Sequence, residues 1–142
     1  MRPIRGNKLL ISANINTRKT DSELRHLMLG EDLSLAGLFP IDVIRVRHGS
    51  EEKSYFLVES TDFNSLIEVG LSLGKKYEQE QIMIIHNDYE VEIIDARTSN
   101  SLGKIGYFTQ VSELLSGEDG TVVNGKVYTN RPRQEQGNSN RI

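Results

Sequence analysis

Arg45-Val46-Arg47-His48-Gly49-Ser50-Glu51-Glu52-Lys53-Ser54-Tyr55-Phe56-Leu57-Val58-Glu59 is the stretch on which the fold turns. Ile41 to Arg47 and Ser54 to Val58 alternate apolar and polar residues on either side of Gly49-Ser50. That pattern predicts two strands joined by a hairpin turn. Arg45, Arg47, His48, Glu51, Glu52 and Lys53 crowd the turn side. Such a cluster is either a solvated tip whose mixed charges protect the strand edges or the charged part of a binding site. The flanking chain has to decide between them.

Upstream, Lys8 to Ile15 is a short apolar run that predicts a buried strand. It ends in Ser12, Ala13 and Asn14, small or polar residues where the chain leaves the sheet. Thr20-Asp21-Ser22-Glu23 has the form of a capping box, which opens a helix to about Gly37. The apolar positions of that helix, Leu24, Leu27, Met28, Leu35 and Leu38, fall on one face and are expected to point inward. Downstream, Thr61-Asp62 caps a second helix to about Tyr77. Its face is Phe63, Leu66, Ile67, Gly70, Leu71, Gly74 and Tyr77. Two inward glycines each cost about 1 kcal/mol of helix propensity, so helix and sheet should approach closely there. Gln81 to His86 predicts a strand buried on both faces, and Tyr89 to Asp95 an alternating one. Lys104 to Val111 predicts a further strand, and Thr121 to Tyr128 a small hairpin about Asn124-Gly125. From Asn130 the chain is polar and without period, which predicts a disordered tail over 130–142 behind a single domain over 1–129.

The order β-α-β-β-α-β predicts a ferredoxin-like, α+β plan, a four-stranded antiparallel sheet with both helices on one face and extra C-terminal strands. Its other face lacks a third helix. A homotrimer packed through that open face is the expected cover.

Composition narrows the function. A chain of 142 residues with net charge −3 and pI near 5.6 has no basic stripe for nucleic acid. It has no cysteine, which removes thiol nucleophiles and zinc ribbons and fits a reducing cytoplasm. His26, His48 and His86 lie far apart, without metal-ligand spacing. No apolar run reaches membrane-span length. No metal, cofactor, nucleic-acid or membrane partner is expected.

Four strings carry a resemblance. They are Leu10-Ile11-Ser12-Ala13, Arg25-His26, Glu51-Glu52-Lys53, and Tyr77 to Ile85 (Tyr-Glu-Gln-Glu-Gln-Ile-Met-Ile-Ile). In this order and spacing the chain resembles the bacteriophage S-adenosylmethionine lyases, formerly called SAM hydrolases. The resemblance implies a trimer with sites between subunits. It implies cleavage of S-adenosylmethionine to 5′-methylthioadenosine and homoserine lactone without a cofactor, in the cytoplasm of an infected host, as an anti-restriction function. It places the functional glutamate on Glu52. The family tyrosine on the preceding strand has no counterpart, since Arg45, Val46 and Arg47 stand there.

Three roles are open to Glu52: holding the substrate ammonium, orienting a water, or pairing with Lys53 or an arginine. Ser12, Ala13, Asn14, Arg47 and Gln79 are the candidate substrate-binding residues. For Ser12 and Asn14 local turn bonding is the competing role, and for Gln79 a loop-to-strand cap. His26 is expected to be a packed histidine. Tyr89 and Tyr107 are alternative rings for stacking adenine. A non-catalytic trimer that sequesters or senses a nucleotide or S-adenosylmethionine is the alternative function.

Overall fold

The computed structural model describes residues 6–14, 19–47 and 52–132. The elements are β1 (Asn7–Ile11), α1 (Lys19–Leu35), β2 (Ile41–Arg47), β3 (Glu52–Ser60), α2 (Phe63–Lys76), β4 (Gln81–Ile85), β5 (Glu90–Asp95), β6 (Ser101–Val111), β7 (Asp119–Val123) and β8 (Lys126–Arg131). All eight strands join one closed antiparallel barrel in the order β1-β3-β2-β7-β8-β6-β5-β4, with β4 returning to β1.

The expected open ferredoxin-like sheet therefore does not form. β4, β1, β3 and β2 do lie side by side, but both edges of that run are occupied. β5 pairs with β4 over Gln81↔Asp95 to Ile85↔Val91, and β7 pairs with β2 over Ile44↔Val122 to Arg47↔Asp119. The C-terminal strands are half of the wall rather than appendages. Closure removes the unpaired edges that an open sheet would leave. It also removes the motive for a trimer packed through an open face, because that face is the inside of the barrel. Leu10, Val43, Leu57, Ile85, Val91 and Phe108 fill it.

A second core lies outside the wall, where the helices pack on β1, β3 and β4. Leu9, Ile11, Phe56, Val58, Ile82 and Ile84 meet Leu29, Leu33, Leu66 and Leu73 there. Alternation sends Leu9 and Ile11 to the helices and Leu10 to the lumen. This is why all five residues of β1 are buried.

α2 begins as its sequence predicts. Asp62 accepts a hydrogen bond from the Ser65 amide at 3.1 Å. Gly70 and Gly74 mark the close approach. A Cβ on Gly70 would stand 2.9 Å from both Ile82 and Leu9, and one on Gly74 would stand 3.1 Å from Ala96.

α1 overturns its reading. It starts at Lys19, so Thr20 lies within the helix and not ahead of it. Leu24, Leu27, Met28 and Leu35 face outward, and Leu29 and Leu33 are the fully buried pair. Two contacts with one ring fix this orientation. His26 stacks on Phe56 at 3.9 Å between centroids, and Gly30 leaves room for the same ring, 2.8 Å from where its Cβ would be.

β2 and β3 pair as a hairpin from Ile41↔Leu57 to Val46↔Glu52; its Gly49-Ser50 turn lies outside the described residues. β7 and β8 turn at Asn124 and Gly125, with φ of 51° and 79°, the left-handed pair of a two-residue hairpin. β8 runs to Arg131, beyond residue 129, and the remainder of the expected tail, 133–142, lies outside the described residues. No helix among the described residues is long and apolar enough to cross a membrane.

Candidate functional site

One rim of the barrel, here the upper rim, holds the C-terminal ends of β1 and β2 and the N-terminal ends of β3 and β4. The chain leaves β1 there through Ser12, Ala13 and Asn14, and Gln79 approaches the same point ahead of β4. The Ser12 hydroxyl donates to Gln79 Oε1 at 2.8 Å. Gln79 Nε2 donates to the carbonyls of Asn14 and Tyr77, each at 2.9 Å. Asn14 Nδ2 donates to the Ser54 carbonyl at 2.9 Å, tying the end of β1 to β3.

Arg25 of α1 closes the bracket. Its Nε donates to the Ala13 carbonyl at 2.9 Å, its Nη2 to the Tyr77 carbonyl, and its Nη1 lies 3.4 Å from Glu78. The Tyr77 hydroxyl donates to Asp32 Oδ2 at 2.6 Å, and Lys76 Nζ reaches the same oxygen at 2.7 Å. The Lys76 bond first and the Tyr77 bond second hold Asp32 below the usual carboxylate range. Burial first, then the Asp32 carboxylate, push the Tyr77 phenol upward.

Ser12, Ala13, Asn14 and Gln79, expected to contact substrate, are thus brought together. The Gln79 side chain is bonded into the loop, as a cap would be. Glu52, the expected functional carboxylate, opens β3 at this rim opposite Val46. It shares the outer side of the strand with Phe56 and is exposed. Arg47 ends β2 opposite Asp119; its side chain lies outside the described part, as does Glu51. His26 is packed, as expected. Tyr89 sits in the β4–β5 turn at the opposite rim, and Tyr107 stands midway along β6, facing away from Phe108.

The lumen side of the upper rim carries Arg45, a member of the charged cluster, together with groups that sequence reading passed over. Arg45 points into the barrel, where its Nη1 donates to Thr121 Oγ1 at 2.8 Å. Its guanidinium lies 5.9 Å from the centre of the Tyr55 ring. Tyr55 and Tyr128 pack against the lumen core, and Tyr128 stacks on Phe108 at 4.9 Å. Asn130, on the lumen side of β8, keeps its Oδ1 buried without a hydrogen-bond partner. Tyr55 stands on the lumen face of β3, opposite Val43. The signal for Arg45 was its alternation with Val43, which places an arginine on the apolar face of a strand. Thr121 and Asn130 had no signal, because only closure through β7 and β8 brings them there.

No protein-family model matches the chain, and no curated protein does. Among solved structures, a phage SAM lyase in complex with S-methyl-5′-thioadenosine superposes with a TM-score of 0.38 and 12% sequence identity. The match covers 73% of this chain and 91% of that one. A superposition that loose carries no argument about function.

Proposed function

We propose that the protein is an S-adenosylmethionine lyase whose site lies at the upper rim. One observation carries this reading. Three of the four strings behind the family resemblance, centred on Ser12-Ala13, Arg25 and Tyr77 to Gln79, are far apart in sequence and bonded into one bracket. The fourth brings Glu52 to the same rim.

The reaction asks little of the protein. A substrate carboxylate oxygen attacks the γ-carbon of the methionine chain, and the carbon–sulfur bond breaks with its electron pair passing to sulfur. The products are neutral 5′-methylthioadenosine and homoserine lactone, and no co-reactant is consumed. Opposite charges merge on the way to the transition state, so exclusion of water lowers the barrier. Folding the methionine chain into its attack geometry supplies several kcal/mol more. In this reading the bracket fixes the rim, and Glu52 faces the positive part of the substrate.

An exposed carboxylate does not make a dry site, so the proposal includes a second protomer over Glu52, in a homotrimer. The outward apolar residues of α1, Leu24, Leu27, Met28 and Leu35, are the surface offered for that contact. The biological role in this reading is depletion of the methyl donor in an infected host, against restriction and modification.

Incubation of the purified chain with S-adenosylmethionine, with chromatography of the products, tests the activity. Methylthioadenosine should accumulate catalytically without added cofactor. Accumulation no faster than in buffer would refute the lyase. Tight binding without turnover would favour the sequestering alternative. A monomeric mass by light scattering at micromolar concentration would refute the trimer.

A further inference from the structure

We infer that the upper mouth of the barrel lumen binds the head group of an α-amino acid, its carboxylate on Arg45 and its ammonium on Asn130 Oδ1. S-adenosylmethionine carries such a head, but the inference stands on residues that the lyase reading does not use. Arg45 presents five N–H donors in a planar fork suited to a carboxylate. The structure gives it Thr121 Oγ1 as acceptor and the Tyr55 ring as neighbour. None of the ion pairs among the described residues engages it, although it faces the inside of a barrel.

Asn130 supplies the complementary oddity. Buried polar atoms are nearly always hydrogen-bonded, and an orphan calls for a cause. Its Oδ1 is one of two buried side-chain atoms without a partner among the described residues. Register places it on the same lumen face as Arg45, two strands away. Arg45 pairs with Thr121, Thr121 pairs with Tyr128, and Asn130 is the next lumen-facing residue of β8. A mouth with spare arginine donors on one side and a spare acceptor on the other fits a ligand that carries both an anion and a hydrogen-bond donor. An α-amino acid has both. A simple carboxylate lacks the donor, and a simple amine lacks the anion.

The test titrates the full chain, labelled with nitrogen-15, with L-alanine, with propionate, which lacks its ammonium, and with ethylammonium, which lacks its carboxylate. L-alanine should shift the Arg45 side-chain N–H, the Thr121 amide and the Asn130 side-chain amide in one saturable curve. Propionate should leave the Asn130 side chain unmoved and need about tenfold higher concentration, the scale of one lost hydrogen bond to a charged group. Ethylammonium should not saturate. Equal curves for L-alanine and propionate, or none for L-alanine, would overturn the inference.

Arg45→Lys should abolish the L-alanine curve. Should that variant fail to fold, Asn130→Leu decides. Removing an orphaned buried acceptor should raise the melting temperature while weakening L-alanine about tenfold. Unchanged L-alanine binding in Asn130→Leu would also overturn the inference. The two proposals fail separately. A chain that binds L-alanine here and leaves S-adenosylmethionine intact keeps this inference and loses the lyase. A chain that cleaves S-adenosylmethionine but gives no saturable L-alanine curve does the reverse.

Discussion

The two halves of the barrel wall share one lumen and differ in what covers them outside. The half made of β4, β1, β3 and β2 carries the helices, and β1 is buried along its whole length. In the half made of β5, β6, β8 and β7, the first five residues of β6, Ser101 to Ile105, are exposed. An apolar residue therefore means different things in the two halves. On β1, β3 and β4 either face of the strand is core, whereas the first half of β6 is core on neither.

The largest expected effect tests this directly. Leu9→Ala removes a fully buried side chain from between β1 and α2, and should cost about 2–5 kcal/mol in denaturant unfolding. Ile105→Ala, at a position of β6 that is 45% exposed, should stay within about 0.5 kcal/mol. Similar losses at both positions would mean that the first half of β6 is covered after all.

Glu52→Gln concerns activity rather than stability. It should lower turnover of S-adenosylmethionine at least about a hundredfold, the scale of one positioned catalytic group. The melting temperature should hardly move, because exposed ion pairs contribute about 0–1 kcal/mol. Normal turnover would remove the glutamate from the mechanism.

A smaller effect belongs to the bare half. Arg131 meets Glu118 through two bonds, of 3.0 and 3.1 Å. Arg131→Ala should lower the melting temperature, whereas deletion of residues 133–142 should leave it unchanged. The opposite pattern would show that the C-terminal segment packs on the barrel and that β8 does not need its last residue.

The smallest expected effect is in acid. The Lys76 bond depresses Asp32, which ties α1 to α2. On the bare half, the Arg131 bond depresses Glu118. A depressed carboxylate contributes stability above its unfolded pKa and loses it as pH falls through the folded value. Stability should therefore decline below about pH 4. Asp32→Asn should flatten that decline from the covered half alone. An unchanged acid profile would show that the Asp32 triad contributes nothing to it.

Much of the covered half was legible in the sequence. The strand β1, the β2–β3 pairing, the Asp62 cap and the two close-approach glycines follow from local pattern. Closure was not legible, because period-two alternation marks a strand without naming its partner. The pairings of β4 with β5 and of β2 with β7 decide the fold, and the second joins segments more than seventy residues apart. α1 misled because its most regular apolar stripe is its outer one. Its inward side is set by the close fit of His26 and Gly30 to Phe56. At the site, the cluster of Ser12, Ala13, Asn14 and Gln79 was legible as strand-end polar residues. The lumen mouth was not, since Asn130 reads as the start of a polar tail until β8 completes the wall.

Cleavage of S-adenosylmethionine in water enriched in oxygen-18 tests the central claim most directly. Attack by the substrate's own carboxylate predicts methylthioadenosine together with homoserine lactone free of label. Homoserine formed later by opening of the lactone should carry label only in its carboxylate. Label in the homoserine hydroxyl would show direct hydrolysis by water. No methylthioadenosine above the buffer rate would contradict the lyase altogether.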